Sequence, residues 1–255
     1  MLLAIDTGNT NIAIGAYQGE ELAHQWRLST RIDSTADELG VLLRGLFDTA
    51  GVAIDQIDSV VVSSVVPTLD RSLLGMCRQY LGVEALMIGP GIRTGVQIRY
   101  DNPREVGADR VVNAVAAFHK YGGPTVVVDF GTTTNFDVIG ANGDYLGGAI
   151  APGIRISMDA LFERAAKLPR VELVEPRSVV AKNTVESIQS GFLYGFVGQI
   201  EGIVARMVDE LGGEVKVIAT GGLAQLISDH TDRIQLVDDR LTLDGLRLIH
   251  DLNVG

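Results

Sequence analysis

Two short turns carry the residue types that phosphate chemistry requires. Asp6-Thr7-Gly8-Asn9-Thr10 and Asp129-Phe130-Gly131-Thr132-Thr133 lie 123 residues apart and present a carboxylate, a glycine and a threonine hydroxyl in the same order. Glycine lets the backbone approach a ligand, neighbouring N–H groups and hydroxyls donate to phosphate oxygens, and a carboxylate holds a cation. One such turn would say little, because Asp and Gly share many ordinary hairpin bends. Two at matched positions point to a nucleotide. Each follows an apolar run (LLAID, TVVVD) and precedes a second (NIAIGAY, NFDVIG). The same offset carries the polar turn Gln18–Glu21 onto Ala141–Asp144, so a whole β-hairpin is duplicated.

A third group stands apart from the turns. Gly107-Ala108-Asp109-Arg110 opens a stretch whose Val111, Val112, Val115 and Phe118 recur at helical spacing. A helix start offers free N–H groups and the positive end of the dipole, which favour anions. Asp109 there suits a carboxylate that orients an alcohol or takes its proton, and Arg110 suits a planar clamp on carboxylate or phosphate. The same residues also fit a plainer role, with Asp109 capping the helix and Arg110 in a solvated surface pair.

The elements that must position these residues read as strands and helices in alternation. Leu2–Asp6, Asn11–Tyr17 and Leu22–Leu28 are short aliphatic strands, and Thr35-Ala36-Asp37-Glu38 is a capping box opening a helix to about Gly51. Ser59–Val66 reads as a buried strand, Leu69–Leu81 as a helix, Ala85–Ile88 as a strand, and Gly89–Gly107 as turns before the helix Ala108–Tyr121. After the second hairpin come a strand near Tyr145–Ala151, a helix to about Ala166, a helix from Thr184 to about Leu211, the strand Val215–Thr220, the turn Gly221-Gly222, and a helical tail after Thr242. Two units of βββαβα type in series divide the chain at 1–120 and 121–255. Ile188, Phe192, Tyr194, Phe196, Val197, Ile200, Ile203 and Val204 lie on more than one face of the long helix, as in a deep core or an oligomer interface.

Composition bounds the partners. A net charge of −11 disfavours nonspecific contact with nucleic acid or anionic membrane, while leaving room for a small anion held by local donors. The one cysteine, Cys77, forms no internal disulfide, which leads to the expectation of a reducing cytoplasm. No secretory signal pattern and no membrane-length apolar run are visible. His24, His119, His230 and His250 show no metal-ligand spacing. Trp26 reads as a packing residue.

The stretch DNPREVGADRVVNAVAAFHKYG, with IDTGNTN, DFGTTTNFD, GGAIAPGI, NTVESIQSGFLYG, ATGGLA and LTLDGLRLIHDLN, resembles the type III pantothenate kinases from end to end. The most specific segment is GADR between DNP and VVNA. The resemblance implies an α/β fold of two duplicated actin-like (ribonuclease H-like) domains with ATP in the interdomain cleft. It also implies transfer of the ATP γ-phosphoryl group to pantothenate, giving 4'-phosphopantothenate in the first step of coenzyme A synthesis. On this resemblance Asp109 is the proton acceptor, and Tyr100, Gly107, Ala108, Arg110 and Thr184 join it in contacting pantothenate. Tyr100 also fits a loop residue packed on the core, and Thr184 a helix N-cap. ATP falls to Asp6, Thr7, Gly8, Asn9, Thr10, Asn11, Ile12 and Ala13, together with Thr132. Asp6 is the expected partner of Mg²⁺ through water, because Mg²⁺ keeps its waters and takes few carboxylates. Asp129 binds a monovalent cation, K⁺ or ammonium, and the family forms homodimers.

Two positions depart from the family's second turn, which usually reads DFGTAT followed by threonine: Thr133 replaces the alanine and Asn135 the last threonine. Asp129 and Thr132 are retained. Other kinases or phosphohydrolases of this superfamily, and a non-catalytic ATP-sensing regulator, are the competing readings; they explain the GADR segment poorly, and no basic helix-turn-helix is visible.

Overall fold

The computed structural model describes residues 1–165 and 167–254. Packing divides the chain into two units: residues 1–116 with the C-terminal stretch from Arg240 on, and Ala117–Asp239. The division therefore differs from two consecutive halves, since the tail returns to the first unit.

In the first unit the strands are β1 (Leu2–Thr7), β2 (Asn11–Gln18), β3 (Glu21–Ser29), β4 (Ser59–Ser64) and β5 (Ala85–Met87), in the order β3-β2-β1-β4-β5. β1 runs antiparallel to β2 and parallel to β4. β1 is apolar at every position up to Asp6 because both of its faces are covered. Leu3 and Ile5 pack with Val60 and Val62 against α1 (Ala36–Ala50) and α2 (Pro67–Met76), through Leu39, Leu43, Phe47, Leu69 and Leu73. Leu2, Ala4 and Val61 face the other way. There they meet Val112 and Val115 of α3 (Ala108–Tyr121) and Leu243, Leu246 and Ile249 of the C-terminal helix, Leu241–Val254. Strand alternation then puts Asp6 and Ser63 on this second face, the side on which α3 lies.

The second unit repeats the plan. Its strands β6 (Thr125–Phe130), β7 (Thr133–Ile139), β8 (Tyr145–Pro152), β9 (Lys216–Gly221) and β10 (Leu236–Val237) run in the order β8-β7-β6-β9-β10. The duplication extends to an irregularity: the register slips between Ala16 and Tyr17 in one hairpin and between Val138 and Ile139 in the other. Helices α4 (Ile154–Arg164) and α5 (Thr184–Leu211) cover one face, with Leu193, Val197, Ile200 and Val204 against Val126, Val128 and Phe136. The expected end of α4 near Ala166 lies outside the described residues. Two elements had no sequence signal long enough to read, the five-residue α6 (Ala224–Ser228) and the two-residue β10. The C-terminal helix is α7.

The start of α5 corrects one assignment. Thr184 is the first helical residue, and the cap is Asn183, whose side chain accepts the Glu186 N–H at 2.9 Å and donates to Glu186 Oε2 at 2.8 Å. The Asn183 amide thus accepts from the N3 N–H, as an N-cap does, and also bonds the N3 carboxylate through its own side chain, contacts that the Thr184 hydroxyl one residue later does not make. At α1 the expected box is present, with Glu38 N donating to Thr35 Oγ1 at 3.2 Å and Thr35 N to Glu38 Oε2 at 2.8 Å.

Candidate active site

The first turn is braced from outside. Gly8 N donates to Asn11 O at 3.0 Å, and Thr30, just past β3, donates from Oγ1 to Gly8 O at 2.6 Å and from N to Thr10 O at 2.9 Å. Asn9, Thr10 and Asn11 are exposed at its lip. Thr7 and Ile12 are buried, and Ile12 belongs to the core, so these two offer a ligand only backbone. Asp6 is half-buried at the end of β1, and Ser63 is its in-register neighbour on β4.

The GADR segment delivers a second carboxylate to the same unit. Asn102 caps a 3₁₀ turn, Pro103–Glu105, which leads through buried Val106 into α3. Asp109 Oδ1 accepts Arg110 N at 2.8 Å, so the carboxylate folds back over the first helical turn. Gly107 makes room for it, since a Cβ at that position would stand 2.5 Å from Asp109 Oδ1. α7 presses on α3 from behind: a Cβ on Gly245 would meet Val112 O at 2.3 Å, and Thr242 Oγ1 donates to Asn113 Oδ1 at 2.7 Å. Both aspartates are strained electrostatically. Burial and the nearby Asp109 charge push Asp6 up to about 7, while Ser63 pulls it the other way. Burial also raises Asp109, opposed by the Arg110 N–H and guanidinium. Arg110 itself is buried, which removes the plainer reading of a solvated surface pair. The bond to the Arg110 N–H is the kind of first-turn contact that the capping reading of Asp109 expects.

In the second unit Gly131 N donates to Thr133 O at 3.0 Å, and Gly153 N donates to Thr132 O at 3.1 Å. Gly153 thus occupies the place that Thr30 holds against the first turn, 123 residues earlier. A Cβ on Gly153 would lie 2.2 Å from Thr132 O, so only glycine permits this contact. Asp129 is half-buried at the end of β6, opposite Asn135 on β7 and beside Thr220 on β9. Gly221, at φ +95°, leaves a space that a Cβ would fill 2.8 Å from Asp129 Oδ1. The departing pair interact with each other, Thr133 Oγ1 donating to Asn135 Oδ1 at 3.0 Å.

The expected residues sort by unit. Asp6 with its turn, Tyr100 and Gly107–Arg110 lie in the first; Asp129, Thr132 and Thr184 lie in the second. Tyr100 is half-buried and Thr184 exposed. Sequence reasoning gave Ser63 and Thr220 no role and read Gly221-Gly222 only as a turn, yet Ser63, Thr220 and Gly221 sit beside the two turn carboxylates. The available signal was a hydroxyl inside a run of valines and a Gly-Gly pair after a strand; parallel pairing, which puts them there, leaves no local trace. Among the described residues no group of three or more His, Cys, Asp or Glu is placed to hold a metal ion, and no helix is long and apolar enough to cross a membrane.

With this geometry established, comparison with known proteins is specific. The family model described as type III pantothenate kinase matches residues 2–206. A type III pantothenate kinase of Brevibacillus brevis is 55% identical over 253 residues, covering 99% of both chains. One from Anaeromyxobacter sp. is 57% identical, covering 99% of this chain and all of that one. Among solved structures, the inorganic polyphosphate/ATP-glucomannokinase of Arthrobacter superposes with a TM-score of 0.52 at 13% identity, covering 99% of this chain and 98% of that one. That likeness speaks for the fold alone, and the fold is the actin-like one of two similar α/β units.

Proposed function

The chain belongs to the type III pantothenate kinase family and phosphorylates pantothenate with ATP in coenzyme A biosynthesis, and from that premise we propose how its residues divide the work. Asp109 is the base that receives the proton of the pantothenate hydroxyl. Arg110, buried next to it, supplies the positive charge that holds the substrate carboxylate or the transferring phosphoryl group. Gly107 and Ala108 line the same site with backbone at the start of α3, and Tyr100 adds a hydroxyl from the same unit; Thr184, in the second unit, carries over as a pantothenate contact from the family resemblance alone. The observation that carries this reading is the placement of Asp6 and Asp109 close enough for one charge to raise the other's pKa. Two like charges held together are relieved by a proton or by a cation, and the nucleotide's divalent ion would supply the second.

Asp6 would hold Mg²⁺ through water. The fit lies in its half-buried carboxylate, a hard oxygen donor that burial and Asp109 destabilise as an anion. Bound there, the ion would neutralise charge on the polyphosphate, which is most of what phosphoryl transfer asks of a site. With Asp6 so relieved, Asp109 is left as the carboxylate facing the alcohol. Asn9, Thr10 and Asn11 donate to phosphate from the exposed lip of the first turn, with Thr7, Gly8, Ile12 and Ala13 as its backbone, and Thr132 does so from the second. Asp129 would hold K⁺ or ammonium, because the absent Cβ of Gly221 leaves a cradle at Oδ1.

A second copy of the chain packs on α5. Gly191, Gly195, Gly198 and Gly202 form a stripe along it, beside an apolar groove of about 360 Å³ lined by Leu161, Ile188, Phe192 and Phe196. Gly195→Glu should convert a dimer to monomer in analytical ultracentrifugation; a wild-type monomer would sink the assignment. The lone Cys77 is buried, and its thiol is pushed up to about 11 by burial, which suits a cytoplasmic enzyme with no disulfide. The net charge leaves nucleic acid and anionic membranes as poor partners.

The deciding experiment is a coupled ADP-release assay with pantothenate, titrated with K⁺ at saturating Mg²⁺ in a Tris background, for wild type and Asp129→Ala. Pantothenate-dependent turnover activated by K⁺ in wild type only is the expected result. Turnover that ignores K⁺ and ammonium removes the cation from Asp129, and a mutant activated normally moves it to another residue.

A further inference from the structure

Ser63 is out of place by the ordinary rules of a buried strand. It follows Val60, Val61 and Val62 on β4, all buried, and is itself fully buried, its Oγ without a partner at ordinary hydrogen-bond geometry. A hydroxyl withdrawn from water with no acceptor is costly, and valine would serve the strand better. Its neighbour Ser64 is explained, since Ser64 Oγ accepts Val66 N at 3.1 Å where the chain turns into α2. No such local bond accounts for Ser63.

Its register gives the reason. Ser63 pairs with Asp6 across the parallel β1–β4 ladder. In-register residues on adjacent strands project to the same face about 4.8 Å apart, so the hydroxyl stands beside the carboxylate. The pairing sets the Asp6 carboxylate, an acceptor, beside the Ser63 hydroxyl. The duplicated unit repeats the pair. Asp129 is in register with Thr220 on β9, also parallel and also buried. Each turn carboxylate therefore has a buried hydroxyl at its side, supplied by the parallel strand.

We propose that Ser63 is a positioning residue for Asp6, its buried hydroxyl fixing the carboxylate in the orientation that receives the divalent cation of the nucleotide. The inference rests on the reading of Asp6 as the cation's partner. Ser63 touches neither substrate nor ion; it acts by limiting the rotation of Asp6 and donating to one oxygen so that the other is presented.

The test uses the full-length protein with Mn²⁺ as probe. Free Mn²⁺ is measured by electron paramagnetic resonance in the presence of ADP, for wild type, Ser63→Ala, Ser63→Thr and Asp6→Asn. Partners that orient a metal-binding group typically change metal affinity by 10–100-fold, so Ser63→Ala should bind Mn²⁺ about 10-fold more weakly in the ADP complex. Ser63→Thr should recover most of that loss, and the KM for pantothenate should not move in either. A Ser63→Ala protein that binds Mn²⁺ like wild type while Asp6→Asn does not overturns the inference and leaves the reading of Asp6 intact. If Asp6→Asn also binds like wild type, the reading of Asp6 itself falls. Should Ser63→Ala lose its native circular dichroism, Ser63→Cys, close in shape but a poor donor, takes its place with the same expected weakening.

Discussion

At the scale of single residues, the two carboxylates of the first unit separate by what surrounds them. Asp109 is held by the Arg110 N–H with Gly107 clearing its path, so Asp109→Asn should preserve the fold and ATP binding. The amide cannot accept a proton, and kcat should fall by roughly 10²–10⁴, the usual contribution of a general base. Steady-state kinetics with nucleotide binding measured separately checks this; a mutant of near wild-type kcat would move the base elsewhere. Asp6 makes a different prediction. Its pKa is raised from 3.8 to about 7, so the folded protein without metal or nucleotide binds a proton that the unfolded chain has lost. Between those two values stability must fall as pH rises. Asp6→Asn removes that slope. Its unfolding free energy should match wild type near pH 4 and exceed it above pH 7. A tenfold difference in proton affinity is worth about 1.4 kcal/mol, which puts the excess on the order of a few kcal/mol. Urea unfolding of the apo-protein at pH 5 and pH 8 reads it directly, and a mutant no more stable at pH 8 would show that Asp6 is not destabilised by its surroundings.

At the scale of elements, each hairpin turn is held by the end of the third strand in its own unit. Thr30 donates into the first turn and Gly153 into the second, and the second contact tolerates no side chain. Gly153→Ala would drive a Cβ into Thr132 O and Gly131 O. Overpacking of this kind costs about 1–3 kcal/mol, relieved only by moving the turn. The expected outcome is a lower melting temperature with a rise in KM for ATP larger than that for pantothenate. Equal changes in both, or none, would disconnect the turn from the nucleotide. The elements themselves were largely legible. Apolar runs bounded by Gly and Asp marked β1, β2, β6 and β7, and Thr35 with Glu38 marked the start of α1. The reading failed where the signal was short or one position out: β10 has two residues, and the cap read at Thr184 is placed at Asn183 by the hydrogen bonds.

At the scale of the molecule, the C-terminal helix is the element whose place matters most. α7 packs Leu243, Leu246 and Ile249 against Leu2, Ala4, Val61, Val112 and Val115, and Tyr17 OH donates to Asp244 at 2.7 Å. It backs β1, which carries Asp6, and α3, which carries Asp109. A chain ending at Asp239 should therefore lose the folded first unit while the second keeps its secondary structure. Hydrogen exchange followed by mass spectrometry resolves the two, with protection expected to vanish from β1, β2 and β4 and to persist in β6, β9 and α5. Protection retained in β1 would mean that the first unit folds without its last helix.

The sequence alone determined the duplication, the two Asp-x-Gly-x-Thr turns, the helix start at Ala108 and the family, because each is written in consecutive residues. Backbone turns and helix caps depend on neighbours within a few positions, and a repeat needs only comparison of the chain with itself. What the tertiary structure decided is everything that couples distant segments: α7 in the first unit, Ser63 beside Asp6, Thr220 and Gly221 beside Asp129, and Arg110 buried rather than solvated. Parallel pairing and helix-on-sheet packing join residues tens to hundreds of positions apart through shape and burial, and neither leaves a mark on the local pattern.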